Sequence, residues 1–74
     1  MVKPGQIWKN SKKGGEYKII ALAKHSETLE DLVIYEALYD NPVAKIWARP
    51  LSMWEEEIEV DGQKVPRFIL IKDN

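Results

Sequence analysis

The segment LVIYEALY, residues 32–39, has the strongest β pattern in the chain. Successive side chains of a strand point to opposite faces, so one face would carry its odd-numbered residues, Val33, Tyr35, Ala37 and Tyr39. The even-numbered residues are also mostly apolar, which indicates a central strand that is covered on both faces and paired along both edges. Asp40-Asn41-Pro42 ends the strand, because proline cannot donate a hydrogen bond to a neighbouring strand.

Shorter β-rich runs lie on both sides of this segment, and turn residues separate them roughly every 8 to 12 residues. We predict strands at residues 6–9, 16–24, 32–39 and 45–49, and a final hairpin in which Asp61-Gly62 forms a type I′ turn before residues 63–71. One short helical turn is expected near residues 51–56. The predicted fold class is all-β, with five to six antiparallel strands in sequential order that curl into a small barrel.

Length and composition limit what the chain can be. With 74 residues, 45% of them apolar, we expect a single domain spanning residues 1–74 around one core. Cysteine is absent and His25 is the lone histidine, so neither a metal nor another cofactor is expected. No apolar run approaches the roughly 18 residues of a membrane helix, and we expect a cytoplasmic location with residues 72–74 as a loose end.

The net charge of −1 is unevenly distributed along the chain. Residues 1–24 contain six lysines and one glutamate, so the first hairpin could contact a nucleic-acid phosphate backbone, with Trp8 and Tyr17 as stacking surfaces. The ordinary alternative is that these lysines keep an edge hairpin soluble and discourage pairing between edge strands.

The spacing of Trp47 and Arg49 places both side chains on one face of a predicted strand. Tyr35 and Tyr39 share a face of the neighbouring strand, so a guanidinium between aromatic walls could bind a carboxylate, a phosphate or a planar base. In the alternative interpretation, Tyr35 and Trp47 are core residues and the stem of Arg49 covers them.

The sharpest polar cluster is His25-Ser26-Glu27-Thr28. It could be a ligand-contacting loop or simply a hydrogen-bonded turn. Catalysis with Ser26 as nucleophile is disfavoured, since residues adjacent in sequence rarely align as a triad. Arg67 could be a second anion contact, although pairing with an acidic neighbour such as Glu59 across the final hairpin is the more common role.

Four segments taken in order resemble a known bacterial family: His25-Ser26-Glu27-Thr28, residues 33–39, Trp47-Ala48-Arg49-Pro50-Leu51 and Val65-Pro66-Arg67-Phe68. They are similar to the domain-of-unknown-function 1653 family. The resemblance implies a small SH3-like barrel of the β-roll type and no assigned activity. This chain differs in a longer loop at residues 41–45 and in Trp54, where the family pattern usually has phenylalanine.

The sequence therefore favours a non-catalytic binding or interaction module for a small anionic or planar ligand, or for a protein partner. The predicted ligand-binding residues are His25, Ser26, Glu27, Thr28, Tyr35, Trp47, Arg49 and Arg67. Trp54 and Phe68 are predicted to be core residues and not ligand contacts. The alternatives are a nucleic-acid-binding module and a small enzyme that uses His25, Glu27 and Arg49. A homodimer also stays open, because a small core can leave apolar surface uncovered.

Overall fold

Seven strands and one short helix follow one another in the computed structural model, which describes residues 1–74. The elements are β1 (Ile7–Asn10), β2 (Glu16–Lys24), β3 (Asp31–Ala37), β4 (Ile46–Pro50), α1 (Leu51–Trp54), β5 (Glu57–Val60), β6 (Gln63–Pro66) and β7 (Phe68–Lys72). The protein is thus a small, mostly antiparallel all-β domain, as predicted. The chain contains no helix with the length and apolar character needed to cross a membrane.

The strands form two sheets. A five-stranded sheet has the order β4-β3-β2-β1-β7, and β5 pairs with β6 in a separate two-stranded sheet. The predicted sequential order holds from β1 to β4 but is wrong at the end of the chain, where β7 returns to pair with β1. The C-terminal strand therefore completes the sheet that the N-terminal strand begins.

The strand count exceeds the predicted five or six because residues 63–71 do not form one strand. The chain changes sheets at Arg67, whose backbone N–H donates to the Glu56 carbonyl at 2.9 Å. Pro66 has no N–H to donate to a ladder. The Asp61-Gly62 turn is present, with φ of 53° and 80°, as a type I′ turn requires, but it joins β5 to β6 and not the last two strands.

The central strand behaves as its alternation predicts. β3 pairs with β2 on one edge and with β4 on the other. Val33, Tyr35 and Ala37 are buried, and the intervening residues 32, 34 and 36 are half-buried. Tyr39 lies beyond the end of the strand and is 44% exposed.

A β-bulge at Ile20 changes the facing of β2. The register shifts between Ile19 and Ala21, so that Leu22 lies opposite Val33. Ala21 therefore does not stay on the face of Ile19, where simple alternation along a strand would place it, because an extra residue in one strand reverses the facing of those that follow. Bulges also increase the local twist of a sheet.

The core forms between the curved large sheet and the short helix. Its buried apolar residues are Val2, Tyr17, Ile19, Val33, Tyr35, Ala37, Trp54 and Phe68. Pro50, with φ −55° and ψ 137°, ends β4, and the helix that follows buries Trp54. The rings of Trp54 and Phe68 stack with centroids 3.8 Å apart and planes at 9°, which confirms that both residues belong to the core.

A buried amide ties the two ends of the chain together. Gln6 is 2% exposed, and its Nε2 donates to the Met1 carbonyl at 3.1 Å and to Asp73 Oδ1 at 2.6 Å. Its Oε1 accepts from Trp8 Nε1 at 3.0 Å. The prediction of a loose end at residues 72–74 is wrong, because Lys72 lies in β7 and Asp73 receives this hydrogen bond.

Candidate functional site

Strands β3 and β4 place the predicted aromatic and arginine side chains on one face. Tyr35 lies directly opposite Trp47, and Val33 lies opposite Arg49. Opposed residues of an antiparallel pair point to the same side of the sheet. Arg49 Nε donates to the Tyr35 hydroxyl at 3.4 Å, and its Cζ lies 5.4 Å from the centroid of the Phe68 ring.

These residues border a cavity of about 230 Å³ that we call the aromatic cavity. Five aromatic side chains line it: Tyr17, Tyr35, Tyr39, Trp47 and Phe68. Their packing is mostly edge-to-face, as between Tyr17 and Tyr35, whose centroids are 5.2 Å apart with planes at 88°. Trp47 Nε1 donates to the Ala44 carbonyl at 3.1 Å, so the loop before β4 fixes the orientation of the indole.

The polar residues of the aromatic cavity give it a positive charge. They are Asn10, Lys13, Asn41 and Arg49, and no acidic residue lines the cavity. The ion pairs of the protein involve other cations, namely Lys24, Lys45 and Arg67. Because Arg49 has no carboxylate partner and only its Nε bonds to protein, its two terminal nitrogens are free to donate to a ligand.

A hydrogen-bonded group of side chains closes one side of the aromatic cavity. The hydroxyls of Tyr17 and Tyr39 are 2.8 Å apart, and Asn41 Nδ2 donates to the Tyr39 hydroxyl at 3.1 Å. Burial, and then the hydrogen bond with Tyr39, raises the pKa of the Tyr17 phenol well above its ordinary value. Tyr17 therefore stays protonated and serves as a neutral hydrogen-bonding group.

Gly15 allows Tyr39 to approach this closely. A Cβ at position 15 would lie 2.8 Å from Tyr39 Cε1, which is shorter than any normal contact between carbon atoms. In the sequence alone, Gly14 and Gly15 indicate only a turn between two strands. A glycine directly before the strand that carries Tyr17 could have indicated that another side chain packs closely against the backbone there.

The turn between β1 and β2 positions Lys13 at the cavity. Asn10 is 9% exposed, and its Oδ1 accepts from the backbone N–H groups of Lys12 and Lys13, each at 2.9 Å. Gly14 completes the turn with φ of 80°, a conformation that glycine adopts readily. The Asn10 Nδ2 makes no hydrogen bond to protein and remains a donor at the cavity edge.

A second cavity of about 400 Å³, which we call the basic cavity, adjoins the first. The two share Asn10, Lys13 and Arg49, and the basic cavity adds Lys12, Ile58, Glu59 and Arg67. Arg67 Nη2 donates to Glu56 Oε1 at 3.0 Å, so Arg67 pairs with an acidic neighbour as predicted, but the partner is Glu56 and not Glu59. The partner is Glu56 because the chain bends at Arg67 and leaves the β5–β6 hairpin.

Residues 25–28 form a tight turn at the β2–β3 connection, away from both cavities. His25 Nδ1 accepts from the backbone N–H groups of Glu27 and Thr28 at 3.1 and 3.3 Å. The Ser26 hydroxyl donates to the Glu27 carboxylate. None of the four side chains lines a cavity, and their contact with a ligand stays a prediction. No cluster of three acidic or histidine side chains is arranged to hold a metal ion.

Of the two stacking surfaces predicted for nucleic acid, Tyr17 is buried and Trp8 is half-buried. Tyr17 is 8% exposed and belongs to the core. Trp8 packs its edge against Trp54, with centroids 6.0 Å apart. The prediction that Tyr17 offers an exposed stacking face is therefore wrong, because Trp8 and Tyr17 are opposed in register and both turn toward the core.

Fold and site together define a small all-β protein with a basic cavity beside an aromatic one. Residues 12–70 match the family described as protein of unknown function (DUF1653), and the chain belongs to that family. It is similar to the crystal structure of a DUF1653 protein from Bordetella bronchiseptica, with a TM-score of 0.85 and 30% identity over 96% of this chain and 88% of that chain. No curated protein matches the sequence.

Proposed function

We propose that the protein is a non-catalytic binding module whose aromatic cavity takes a small planar ligand bearing an anionic group. One observation carries the proposal: the Arg49 guanidinium lies beside the aromatic side chains of Tyr35 and Phe68 and has no carboxylate partner. The Tyr35 hydroxyl accepts from its Nε at 3.4 Å, and Phe68 lies beneath its Cζ at 5.4 Å. A guanidinium oriented in this way can bind an anion through two parallel hydrogen bonds.

The surroundings favour a planar ligand over a bare ion. Five aromatic rings line the cavity, and aromatic faces or edges attract another ring or a flat conjugated group. Lys13 adds a second positive charge at the cavity. A hydrogen bond to a charged group contributes about 1.5 to 3 kcal/mol, so the arginine contact alone would discriminate between an anion and its neutral analogue.

The same residues argue against catalysis at this cavity. Its lining contains no histidine, aspartate, glutamate, serine or cysteine, which leaves Lys13 and the tyrosines as the groups that could act as a base or nucleophile there. The pKa of the Tyr17 phenol is raised, so this phenol would be a poor base near neutral pH. The enzyme alternative needs His25 and Glu27 beside Arg49, and no cavity contains that combination.

We also propose that the roll is of the SH3-like type that the family resemblance implies. Support comes from the strand order of the large sheet, in which β7 returns to pair with β1, and from the separate β5–β6 hairpin. In a fold so arranged, the aromatic cavity lies where the turn between β1 and β2 approaches the loop between β3 and β4.

The binding proposal is tested by replacing the guanidinium while keeping its charge. Arg49→Lys loses the two-pronged hydrogen bond and the flat stacking surface, so the variant should bind benzoate more weakly by about 1 to 3 kcal/mol, roughly 5- to 150-fold. Affinity would be measured by NMR titration of the ¹⁵N-labelled chain, with the indole N–H signal of Trp47 as a local reporter.

The matched control is Arg67→Lys, because Arg67 is the other arginine of the chain and does not line the aromatic cavity. This control should bind benzoate as the unmodified chain does. Equal benzoate affinity of Arg49→Lys and the unmodified chain, with both folded, would contradict the proposal. The proposal would also be contradicted if benzoate did not shift the NMR signals of the aromatic cavity in the unmodified chain.

A further inference from the structure

The aromatic cavity is too small to enclose a whole ligand of ordinary size. Its volume is about 230 Å³, whereas pockets that bury drug-sized ligands span roughly 300 to 1,000 Å³. A single ring system fits the space between the aromatic side chains. Any further group of the ligand must leave the cavity through its open side, toward a neighbouring part of the surface.

The basic cavity offers such a path. Asn10, Lys13 and Arg49 line both cavities, so a ligand that occupied both would contact these residues along its length. The terminal nitrogens of Arg49 make no hydrogen bond to protein, and neither does the Asn10 Nδ2. Both residues line both cavities, so an anionic group attached to the ring would be placed beside them.

The charges of the basic cavity suit a phosphate. Lys12, Lys13 and Arg49 have no carboxylate within ion-pair distance, whereas Arg67 is paired with Glu56 at 3.0 Å. Glu59 is the one acidic residue of the lining and Ile58 the one apolar residue. A phosphate ester carries a charge of about −1.5 to −2 at neutral pH. It therefore gains more from these three cations than a single carboxylate would.

We infer that the ligand is a nucleotide, with its base in the aromatic cavity and its phosphate in the basic cavity. This inference rests on the proposed binding function and names the ligand class for the same site. The base would pack against the aromatic side chains, a contact that tolerates every base because each has a π face. The phosphate would accept hydrogen bonds from Arg49, and the positive charges of Lys12 and Lys13 would attract it.

The test is a set of NMR titrations of the full chain with the four ribonucleoside monophosphates and with the four matching nucleosides. Each monophosphate should bind at least about tenfold more tightly than its nucleoside, because only the monophosphate gains the charge-assisted contacts. Lys12→Gln should weaken monophosphate binding severalfold and leave nucleoside binding unchanged, since Lys12 lines the basic cavity but not the aromatic cavity.

The matched control is Lys9→Gln, an exposed lysine of the same hairpin that lines neither cavity. A single-stranded oligouridylate identifies the source of the nucleotide. If the oligouridylate binds much more tightly than uridine monophosphate, the natural ligand is a single strand. If the two bind equally, the natural ligand is the free nucleotide. Either result supports the inference when Lys12→Gln weakens binding and Lys9→Gln does not.

Three results would overturn the inference: nucleosides that bind as tightly as monophosphates, equal effects of Lys12→Gln and Lys9→Gln, or no response to any nucleotide. Benzoate separates this failure from that of the proposed function. Arg49-dependent benzoate binding without nucleotide binding would leave the aromatic anion site standing and remove the nucleotide. Absence of both responses would remove both proposals.

Discussion

Replacing Phe68 with alanine would remove a ring that belongs to both the core and the aromatic cavity. Phe68 is 4% exposed, stacks on Trp54 at 3.8 Å and meets the edge of Tyr17 at 5.9 Å. Burial of such a side chain contributes about 1.5 to 3 kcal/mol. An aromatic pair adds about 0.5 to 1.5 kcal/mol, and the empty space left behind costs about 24 cal/mol per Å³.

The expected loss for Phe68→Ala is therefore about 3 to 5 kcal/mol in the free energy of unfolding. A chain of 74 residues has a total stability of about 4 to 11 kcal/mol at the usual 0.05 to 0.15 kcal/mol per residue. The variant would thus lose between about a quarter and all of the stability of the domain. Urea titration followed by circular dichroism and tryptophan fluorescence measures the change.

The control for this experiment is Ile69→Ala, the next residue of β7, which is 46% exposed and should lose about 1 kcal/mol or less. If Phe68→Ala does not fold at all, Phe68→Leu supplies a measurable loss of about 1 to 2 kcal/mol. The packing argument is refuted if Phe68→Ala is no less stable than Ile69→Ala.

Two further predictions concern the polar side of the aromatic cavity. Gly15→Ala should push the Tyr39 ring from its position 2.8 Å from the new Cβ and weaken benzoate binding in the NMR titration. Gly14→Ala, where no atom lies within 4 Å but φ is 80°, should cost about 1 kcal/mol of stability and leave benzoate binding unchanged. Because the pKa of Tyr17 is raised on folding, its contribution to stability is complete below the unfolded pKa of about 10 and is lost at higher pH. Urea titrations measure the free energy of unfolding at about pH 8 and about pH 10.5. This free energy should fall less between the two pH values for Tyr17→Phe than for the unmodified chain. An equal fall in both proteins would contradict the raised pKa of Tyr17.

Local sequence patterns predicted most of the strands. β2 matches the predicted residues 16–24, and β3 begins and ends within two residues of the prediction. Alternating side chains and turn residues act over a few neighbours, so they can be read without the rest of the chain. The same holds for the spacing of Trp47 and Arg49, which placed them on one face because the period of a strand is two residues.

The parts of the candidate site that sequence reasoning missed depend on distant segments. Asn10, Lys13 and Gly15 come from the first turn, Asn41 comes from the loop after β3, and Phe68 comes from the last strand. Nothing local to these residues shows that they meet. The four residues of the 25–28 turn, by contrast, formed the sharpest local cluster, yet their polar atoms mainly bond to one another and to their own backbone.

The sequence by itself determined the all-β class, the central position of β3, the Asp61-Gly62 turn and the family resemblance. Only the tertiary structure decided that β7 pairs with β1, that a bulge reverses the facing of β2, and that Arg49 lies between two cavities without a carboxylate partner. The physical reason is that strand pairing and bulges are selected by the packing of the whole core. The energy of such contacts is shared among residues far apart in the chain, so no short segment carries their signal.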